Sequence, residues 1–221
     1  MNNKRPYIHI NTAMTIDGKI APERGSINIS NKKDLLRVHK LRKEYDAILV
    51  GINTILVDDS RLTVHKIPCN KDNNPIRIII DSNLKTPLNA KAVNDEAKTI
   101  IVTTKKASQE TIKKHEQNPN VNIVICGDKQ VNLKLLFEIL YSMKINSILV
   151  EGGSTINYSL FKENLVDKLT VCIAPMILGG RKSNTLVDGN GFDKDTYKKL
   201  ELINKYMIDE DIILEYKIKK N

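Results

Sequence analysis

Short apolar runs alternate with amphipathic segments along most of the chain, which is the pattern of a parallel α/β sheet. Several of the runs are apolar without alternation, as expected for strands that are buried on both faces of a sheet. The predicted strands are residues 7–11, 47–51, 76–81, 99–104, 121–126 and 147–151. The pattern therefore predicts an α/β fold with a mostly parallel central sheet and helices on both of its faces.

Helical spacing of apolar residues marks the segments between these strands. The first helix is expected to begin at Ser30, a residue type that caps helix N-termini, and its apolar face to consist of Leu35, Val38, Leu41 and Tyr45. Further helices are predicted over residues 108–117, 132–144 and 155–164.

The pattern changes in the last quarter of the chain. Strands are predicted over residues 166–175, 200–209 and 211–220, with an acidic turn at Asp209–Asp211. The last strand alternates apolar and polar residues, which favours an antiparallel strand that is half exposed to water. No linker divides the sequence, so residues 1–221 are expected to form a single domain with an antiparallel C-terminal edge.

Composition restricts where the protein acts. Apolar residues make up 41% and charged residues 28%, as in water-soluble globular proteins. There is no apolar run of the roughly 18 residues that a membrane span needs, and the N-terminus lacks the features of a signal peptide. The cysteines Cys69, Cys126 and Cys172 are isolated, which suits a reducing compartment and argues against a metal site. We expect a cytoplasmic protein without a bound metal.

The net charge of +9 raises the possibility of a nucleic-acid partner. The lysines are spread along the chain, however, and no basic stripe is interleaved with aromatic residues. We expect no nucleic-acid or membrane partner. A positive field would instead attract a phosphorylated substrate or a dinucleotide.

The stretch "ILVEGGSTIN" (148–157) carries the first candidate site. Ligands of parallel α/β sheets bind beyond the carboxyl ends of the strands, and Glu151 to Thr155 occupy such an end. Glycines allow close backbone approach, and amides at a helix start attract phosphate. Taken alone, the stretch fits either a phosphate site or a tight turn, because it lacks the GxGxxG pattern of dinucleotide folds.

Three further strand ends carry polar groups. In residues 50–66, Thr54 and Asp58 lie four apart on one helical face, before a dense polar cluster. Residues 80–87 also lead from a strand into polar residues, and residues 11–22 contain a tight turn at Asp17–Gly18 beside Lys19. Together these ends supply the hydroxyl, amide and cationic groups that a dinucleotide needs.

The motifs resemble one family. "AMTIDGKIA", "RxxxDAILVGxxTILxDDxRLTV", "RIIIDS" and "LVEGG" occur in the order and at the spacing of the reductases of riboflavin biosynthesis, and "IAPMILGG" (173–180) extends the resemblance. The resemblance implies a dihydrofolate-reductase-like fold, a homodimer and an NADPH-dependent reduction of a ribosylamino-pyrimidinone phosphate to its ribitylamino form. It leaves NADH open as a second hydride donor. The HxE…PCxxC pattern of zinc deaminases is missing, so a reductase without deaminase activity is expected.

The resemblance also assigns residues. It implies cofactor contacts from Thr12, Ala13, Thr54, Asp58, Ser82, Asn83, Leu84, Lys85, Gly152, Gly153, Ser154 and Thr155. On the substrate side, Arg42, Leu62 and His65 match positions of the family, where His65 replaces an arginine that is usual in the bacterial enzymes. The substrate phosphate is therefore expected to depend on Arg42, Arg61 or Lys66, and Asp17 and Glu151 are expected near the ribose. Lys19 and Glu151 are the catalytic candidates. Each could serve proton transfer or charge stabilisation, or could only bind the substrate.

Two other functions remain open at this point. Dihydrofolate reductase shares the fold and the cofactor, although the predicted first helix is mostly basic and suits a phosphorylated substrate better. A non-catalytic nucleotide- or RNA-binding protein would use the positive charge, and its affinity would fall steeply with salt.

Overall fold

The computed structural model describes residues 4–219, which form an α/β fold of two compact units. The first unit comprises residues 4–7 and 39–149, and the second comprises residues 8–38 and 150–219. The strands are β1 (Tyr7–Thr15), β2 (Lys19–Ala21), β3 (Ala47–Gly51), β4 (Ile76–Ile80), β5 (Thr99–Thr103), β6 (Val121–Ile125), β7 (Ser147–Val150), β8 (Lys168–Ala174), β9 (Asn184–Thr185), β10 (Leu200–Ile208) and β11 (Asp211–Ile218). The α-helices are α1 (Lys32–Glu44), α2 (Ile52–Asp58), α3 (Gln109–Glu116), α4 (Leu133–Ser142) and α5 (Ser154–Lys162).

The sheet of the first unit has the strand order β7-β3-β4-β5-β6. Strands β3, β4, β5 and β6 pair in parallel, with Ala47 opposite Ile76 and Arg77 opposite Thr99. Every residue of β3 and β5 is buried, which is why these strands read as unbroken apolar runs. The predicted strands β3 to β7 are confirmed to within one residue at each end, whereas β1 extends four residues beyond its predicted end at residue 11.

The helices α3 and α4 begin where side-chain caps are available. Ser108 accepts the amide of Thr111, and Asn132 accepts the amide of Leu135. Helix α4 buries Leu133, Leu136, Phe137 and Leu140, an i, i+3, i+4, i+7 set that forms one face.

In the second unit the strand order is β10-β11-β8-β1. Strand β1 pairs with β8 in parallel, whereas β8 with β11 and β11 with β10 are antiparallel. The turn at Asp209 joins the last two strands as predicted. The mostly parallel sheet and its antiparallel C-terminal edge are therefore confirmed. Residue 220, which was predicted to end the last strand, lies outside the described residues.

Two expectations for the first helix are wrong. Its capping side chain is Asn31, which accepts the amides of Lys33 and Asp34, and not Ser30. Asn31 is preferred because its own amide donates to Asp211 and its side chain to Ile208, which tie the helix start to the β10–β11 turn. The second wrong expectation is the apolar face of the helix. Leu35 is 39% exposed and Val38, Leu41 and Tyr45 are only half-buried, whereas Asp34 and His39 are buried.

None of the helices among residues 4–219 combines the length and the apolar character that are required to cross a membrane.

Candidate active site

Helix α2 carries Thr54 and Asp58 four residues apart, as the sequence predicts. It begins after Gly51 at the end of β3 and stops at Asp59, whose left-handed backbone lets its amide donate to Ile55. The Asp59 carboxylate accepts the amide of Lys91 at 2.9 Å and pairs with its ammonium group at 3.2 Å. Thr54 is half-buried and Asp58 is exposed at the end of the helix.

Leu62 and Leu84 share an arrangement that the sequence does not reveal. Each has a positive φ, of 54° and 52°, and each side chain is buried in the hydrophobic core of the first unit. The neighbouring Arg61 is exposed and pairs with Glu96 at 3.6 Å. A ligand contact from either leucine would therefore come from the backbone, while the adjacent polar side chains face outward.

A histidine pair supports the segment that contains His65. The amide of His65 donates to Nδ1 of His39 at 3.2 Å, and the two rings meet edge to face with centroids 4.5 Å apart. Arg42 donates to the carbonyl of Thr63 at 2.9 Å. Helix α1 thus holds the backbone of residues 63–65 in place.

Both histidines of this pair have lowered pKa values. Burial, followed by the charges of Arg42, His65 and Lys66, lowers the pKa of His39 from 6.5 to about 3. Burial is also the largest cause of the lowered pKa of His65, to which Arg42 and Lys66 add. Both rings are therefore neutral near pH 7. The positive charge in this region comes from Arg42, Arg61 and Lys66 instead.

The loop Ser82–Lys85 is held by residues on either side of it. Asp81 accepts the amide of Asn83 at 3.3 Å and both the amide and the hydroxyl of Thr86, at 2.7 and 2.8 Å. The hydroxyl of Thr104 donates to the carbonyl of Ser82 at 2.7 Å. These contacts leave Asn83 and Lys85 exposed on a preformed loop.

In the second unit, Thr12 and Ala13 are half-buried on β1. Beyond the strand, Asp17 accepts the hydroxyl of Thr15 at 2.5 Å and the amides of Leu178 and Gly179 at 3.1 and 2.7 Å. These bonds, led by that of Thr15, lower the pKa of Asp17 from 3.8 to about 2. The carboxylate predicted to bind substrate therefore already anchors residues 178–179.

Lys19 is fixed at both ends. Its amide donates to the hydroxyl oxygen of Thr15 at 2.9 Å, and its ammonium group donates to the carbonyl of Ser183 at 3.1 Å. Strand β2 pairs with β9, and Lys19 lies opposite Thr185 in this pairing.

The loop after β7 leads into α5 as predicted. Gly152 has a φ of 105°, and the peptide bond between Gly152 and Gly153 is cis. A Cβ atom on either glycine would meet no protein atom within 4 Å, so the space beside the loop is open. The first amides of α5 have no acceptor within the helix and can bind an anion in that space.

The hydroxyls of Ser154 and Thr155 in this loop differ in their exposure to solvent. Thr155 is exposed, whereas Ser154 is 2% exposed and its oxygen accepts the side-chain amide of Asn184 at 3.2 Å. Phosphate binding here would rest on backbone amides and Thr155, with Ser154 serving the fold. Glu151 is half-buried at the start of the loop.

The sequence did not mark Asn184, Thr185 and Asp188 as site residues. Thr185 lies opposite Lys19 in the β2–β9 pairing and bonds Asp188, and Asn184 bonds Ser154. They belong to a segment without strand or helix periodicity, so no pattern marked them.

The fold is of the α/β class, and its open glycine loop leads into the start of a helix, where anions can bind. Residues 6–214 match the family model of the RibD C-terminal domain. The chain is 48% identical over 216 residues, 97% of its length and 99% of the relative's, to the 2,5-diamino-6-ribosylamino-4(3H)-pyrimidinone 5′-phosphate reductase of Methanothermobacter thermautotrophicus.

Solved structures agree with this match. A bifunctional deaminase/5-amino-6-(5-phosphoribosylamino)uracil reductase from Thermotoga maritima superposes with a TM-score of 0.82 at 26% identity, over 98% of this chain and 57% of that longer one. The riboflavin biosynthesis reductase of Saccharomyces cerevisiae superposes with a TM-score of 0.78 at 26% identity, over 99% and 92% of the two chains. The chain belongs to the family of riboflavin-biosynthesis reductases and is an oxidoreductase. The predicted dihydrofolate-reductase-like fold is confirmed.

Proposed function

We propose that the protein reduces the ribosylamino group of 2,5-diamino-6-(ribosylamino)-4(3H)-pyrimidinone 5′-phosphate to a ribitylamino group, with NADPH as the hydride donor. The observation that carries the proposal is the 48% identity, over nearly the full length of both chains, to an archaeal enzyme of that name. The family match over residues 6–214 supports one reductase domain.

The chemistry needs a carbon that can accept hydride. The substrate glycosylamine opens to an imine, or to an iminium ion when protonated, and C1′ then gains a hydride while the imine nitrogen ends as an amine. One NADPH and one proton are consumed for each product and NADP⁺ formed. NADPH, when bound, supplies the hydride.

Within each unit, taken by itself, residues are present that suit one part of a dinucleotide. The open space beside Gly152 and Gly153 admits a pyrophosphate, which the first amides of α5 and the hydroxyl of Thr155 would bind. The exposed Asn83 and Lys85 suit the adenosine end, and Lys85 supplies the positive charge that a 2′-phosphate needs. Further cofactor contacts are proposed for Thr12, Ala13, Thr54, Asp58, Ser82 and, through its backbone, Leu84.

The substrate phosphate is assigned to cations of the first unit. Arg42, Arg61 and Lys66 carry the charge here, and His65 contributes a neutral hydrogen-bonding ring because its pKa is lowered. Leu62 contributes through its backbone. Asp17 is proposed to act on the substrate side by holding residues 178–179 in place.

Lys19 and Glu151 are proposed to act at the ribose. Lys19 presents an ammonium group that can protonate the opening sugar or bind one of its hydroxyls. Glu151 presents a carboxylate that can bind a hydroxyl or stabilise the cationic iminium ion. Lys19→Ala and Glu151→Gln separate these roles, since loss of proton transfer lowers kcat, whereas loss of binding alone raises KM.

The proposal extends to the state of the protein. We propose a cytoplasmic homodimer that lacks deaminase activity and binds no nucleic acid or metal. The absence of an HxE…PCxxC pattern supports the lack of deamination. Exposed apolar residues on β10, with Leu202 at 47% and Met207 at 58%, support contact with a second copy.

The test is oxidation of NADPH, followed at the absorbance band of reduced nicotinamide. Turnover with the ribosylamino-pyrimidinone phosphate but not with dihydrofolate is the expected result. Dihydrofolate turnover would establish the folate enzyme instead. Absence of NADPH binding, together with RNA affinity that falls steeply with salt, would replace the proposal by the binding-protein alternative.

A further inference from the structure

The segment of residues 183–192, here called the strap, lies along one face of α5. Asn157 donates to the carbonyl of Leu186 at 2.9 Å, and the hydroxyl of Tyr158 donates to that of Gly191 at 3.2 Å. At Gly189 a Cβ atom would come within 2.3 Å of the Tyr158 ring, so any larger residue would require this ring to shift. The strap is thus packed closely on the helix that begins at the glycine loop.

The other side of the strap meets Lys19. Strand β9 belongs to the strap, and its Thr185 lies opposite Lys19 in the pairing with β2. The carbonyl of Ser183 accepts the ammonium group of Lys19 at 3.1 Å. The position of Lys19 therefore depends on where the strap sits.

Asp188 closes the strap on itself and on α5. Its carboxylate accepts the amide of Thr185 at 2.9 Å and the hydroxyl of Thr185 at 2.5 Å. Its amide donates to the carbonyl of Ser154 at 3.4 Å. Partial burial raises the pKa of Asp188, but hydrogen bonds from Thr185 and Ser154, together with the charge of Lys19, outweigh it and leave the pKa lowered.

We propose that Asp188 is a positioning residue for the reductase reaction: through its bonds to Thr185 and Ser154 it fixes β9, and thereby Lys19, relative to the start of α5. The inference rests on the proposed function, because it concerns the reaction in which Lys19 takes part.

Asp188→Asn tests the proposal with little change of shape. The asparagine oxygen can still accept the Thr185 amide. The substitution removes the negative charge and one of the two acceptor oxygens that bond Thr185. We expect kcat/KM for the pyrimidinone substrate to fall about tenfold, since a displacement of 1 Å can cost up to about a hundredfold. The dissociation constant of NADPH is expected to stay unchanged. The unfolding midpoint at neutral pH is expected to fall slightly, because the lowered pKa of Asp188 means that its charged form stabilises the folded protein.

Asp193→Asn is the matched control. Asp193 and Thr196 are also an Asp–Thr pair three residues apart in the second unit, and Asp193 accepts the hydroxyl of Thr196 at 2.8 Å. The side-chain bonds given for Asp193 in the described part of the chain reach Asp195 and Thr196, not β2. This variant is expected to keep the wild-type kcat/KM.

A double-mutant cycle with Lys19→Ala decides whether Asp188 acts through Lys19. If it does, Asp188→Asn has no further effect on kcat/KM in the Lys19→Ala background. Multiplying effects would overturn the proposal, as would a weakened NADPH affinity with unchanged kcat, which would place the role at the glycine loop. Lack of wild-type turnover would overturn the proposed function itself and with it this inference.

Discussion

The carboxylate of Asp17 accepts a hydrogen bond of 2.7 Å from the backbone amide of Gly179, which follows 162 residues later in the chain. Through this bond and that from Leu178, a side chain in the turn after β1 anchors the segment that follows β8. The same carboxylate accepts the hydroxyl of Thr15, whose oxygen in turn accepts the amide of Lys19. Hydrogen bonds therefore link the turn after β1, residues 178–179 and Lys19.

This link makes the contribution of Asp17 to stability dependent on pH. Its pKa is lowered from 3.8 to about 2 in the folded protein, so the stabilisation is complete above the unfolded value and is lost as the pH falls through the folded one. Asp17→Asn should be less stable than the wild type at neutral pH, and the difference should shrink as the pH falls from 3.8 towards about 2. Urea unfolding at several pH values measures this. A difference that stays constant would contradict the assignment.

The two glycines of the loop after β7 should respond differently to alanine. Gly152→Ala places a side chain at a φ of 105° and should destabilise the protein by about 1–3 kcal/mol. Gly153→Ala introduces no clash, because its Cβ atom would meet no protein atom within 4 Å.

A methyl group at position 153 would instead enter the space proposed for the pyrophosphate. We expect Gly153→Ala to weaken NADPH binding about tenfold or more with an unchanged melting temperature. Fluorescence titration and thermal unfolding measure the two quantities. Unchanged NADPH affinity in this variant would place the pyrophosphate elsewhere.

Lys85 should set the preference between the two nicotinamide cofactors. It is exposed on a loop held by Asp81 and Thr104, and its charge suits a 2′-phosphate. Lys85→Gln should raise the KM for NADPH about tenfold, and leave that for NADH unchanged, because only NADPH carries the phosphate. Lys113→Gln, which removes the same charge from an exposed position on α3, should change neither value. Equal losses with both cofactors would refute the role.

Arg77 should be a major source of stability in the first unit. Its side chain is fully buried and donates to Thr99 at 2.9 Å and to both the side chain and the carbonyl of Asn94, at 2.8 and 2.6 Å. Burial lowers its pKa to about 10, so it stays charged at neutral pH. Arg77→Met leaves these acceptors unsatisfied and should cost about 3 kcal/mol of unfolding free energy.

The comparison for Arg77 is Lys98→Met. Lys98 is exposed and lies between Asn94 and Thr99, two residues that accept hydrogen bonds from Arg77. Its substitution should change the unfolding free energy by less than about 0.5 kcal/mol. Chemical denaturation of both variants provides the measurement. Equal effects would mean that the bonds of Arg77 contribute little.

The proposed homodimer predicts the effect of a charge on β10. Met207 is 58% exposed on this edge strand, and Met207→Lys should favour the monomer, because a lysine would be costly to bury between two copies. Leu88→Lys changes a residue of the first unit that is 56% exposed and should leave the oligomeric state unchanged. Sedimentation velocity distinguishes the two species. A Met207→Lys variant that sediments like the wild type would exclude β10 from the interface.

Sequence alone indicated most of the strands and helices, because periodicity is local, but it did not predict the short strands β2 and β9 or the cap of α1. The unbroken apolar runs of β3 and β5 indicated parallel strands buried on both faces, and the alternation in β11 indicated an antiparallel edge. The glycine loop before α5 and the pair Thr54 and Asp58 on α2 were likewise readable, since glycine and helical spacing act over a few residues.

Tertiary structure decided which polar groups are already committed. In the sequence, Asp17, Ser154 and Asp188 are all short polar residues near turns. In the structure, Asp17 anchors residues 178–179, Ser154 is buried against Asn184, and Asp188 is bonded to Thr185. The cap of α1 moved from Ser30 to Asn31 because Asn31 also bonds the β10–β11 turn, which is 177 residues away at Ile208. Such contacts join positions that are distant along the chain. A side chain's availability depends on those partners, and no local pattern records them.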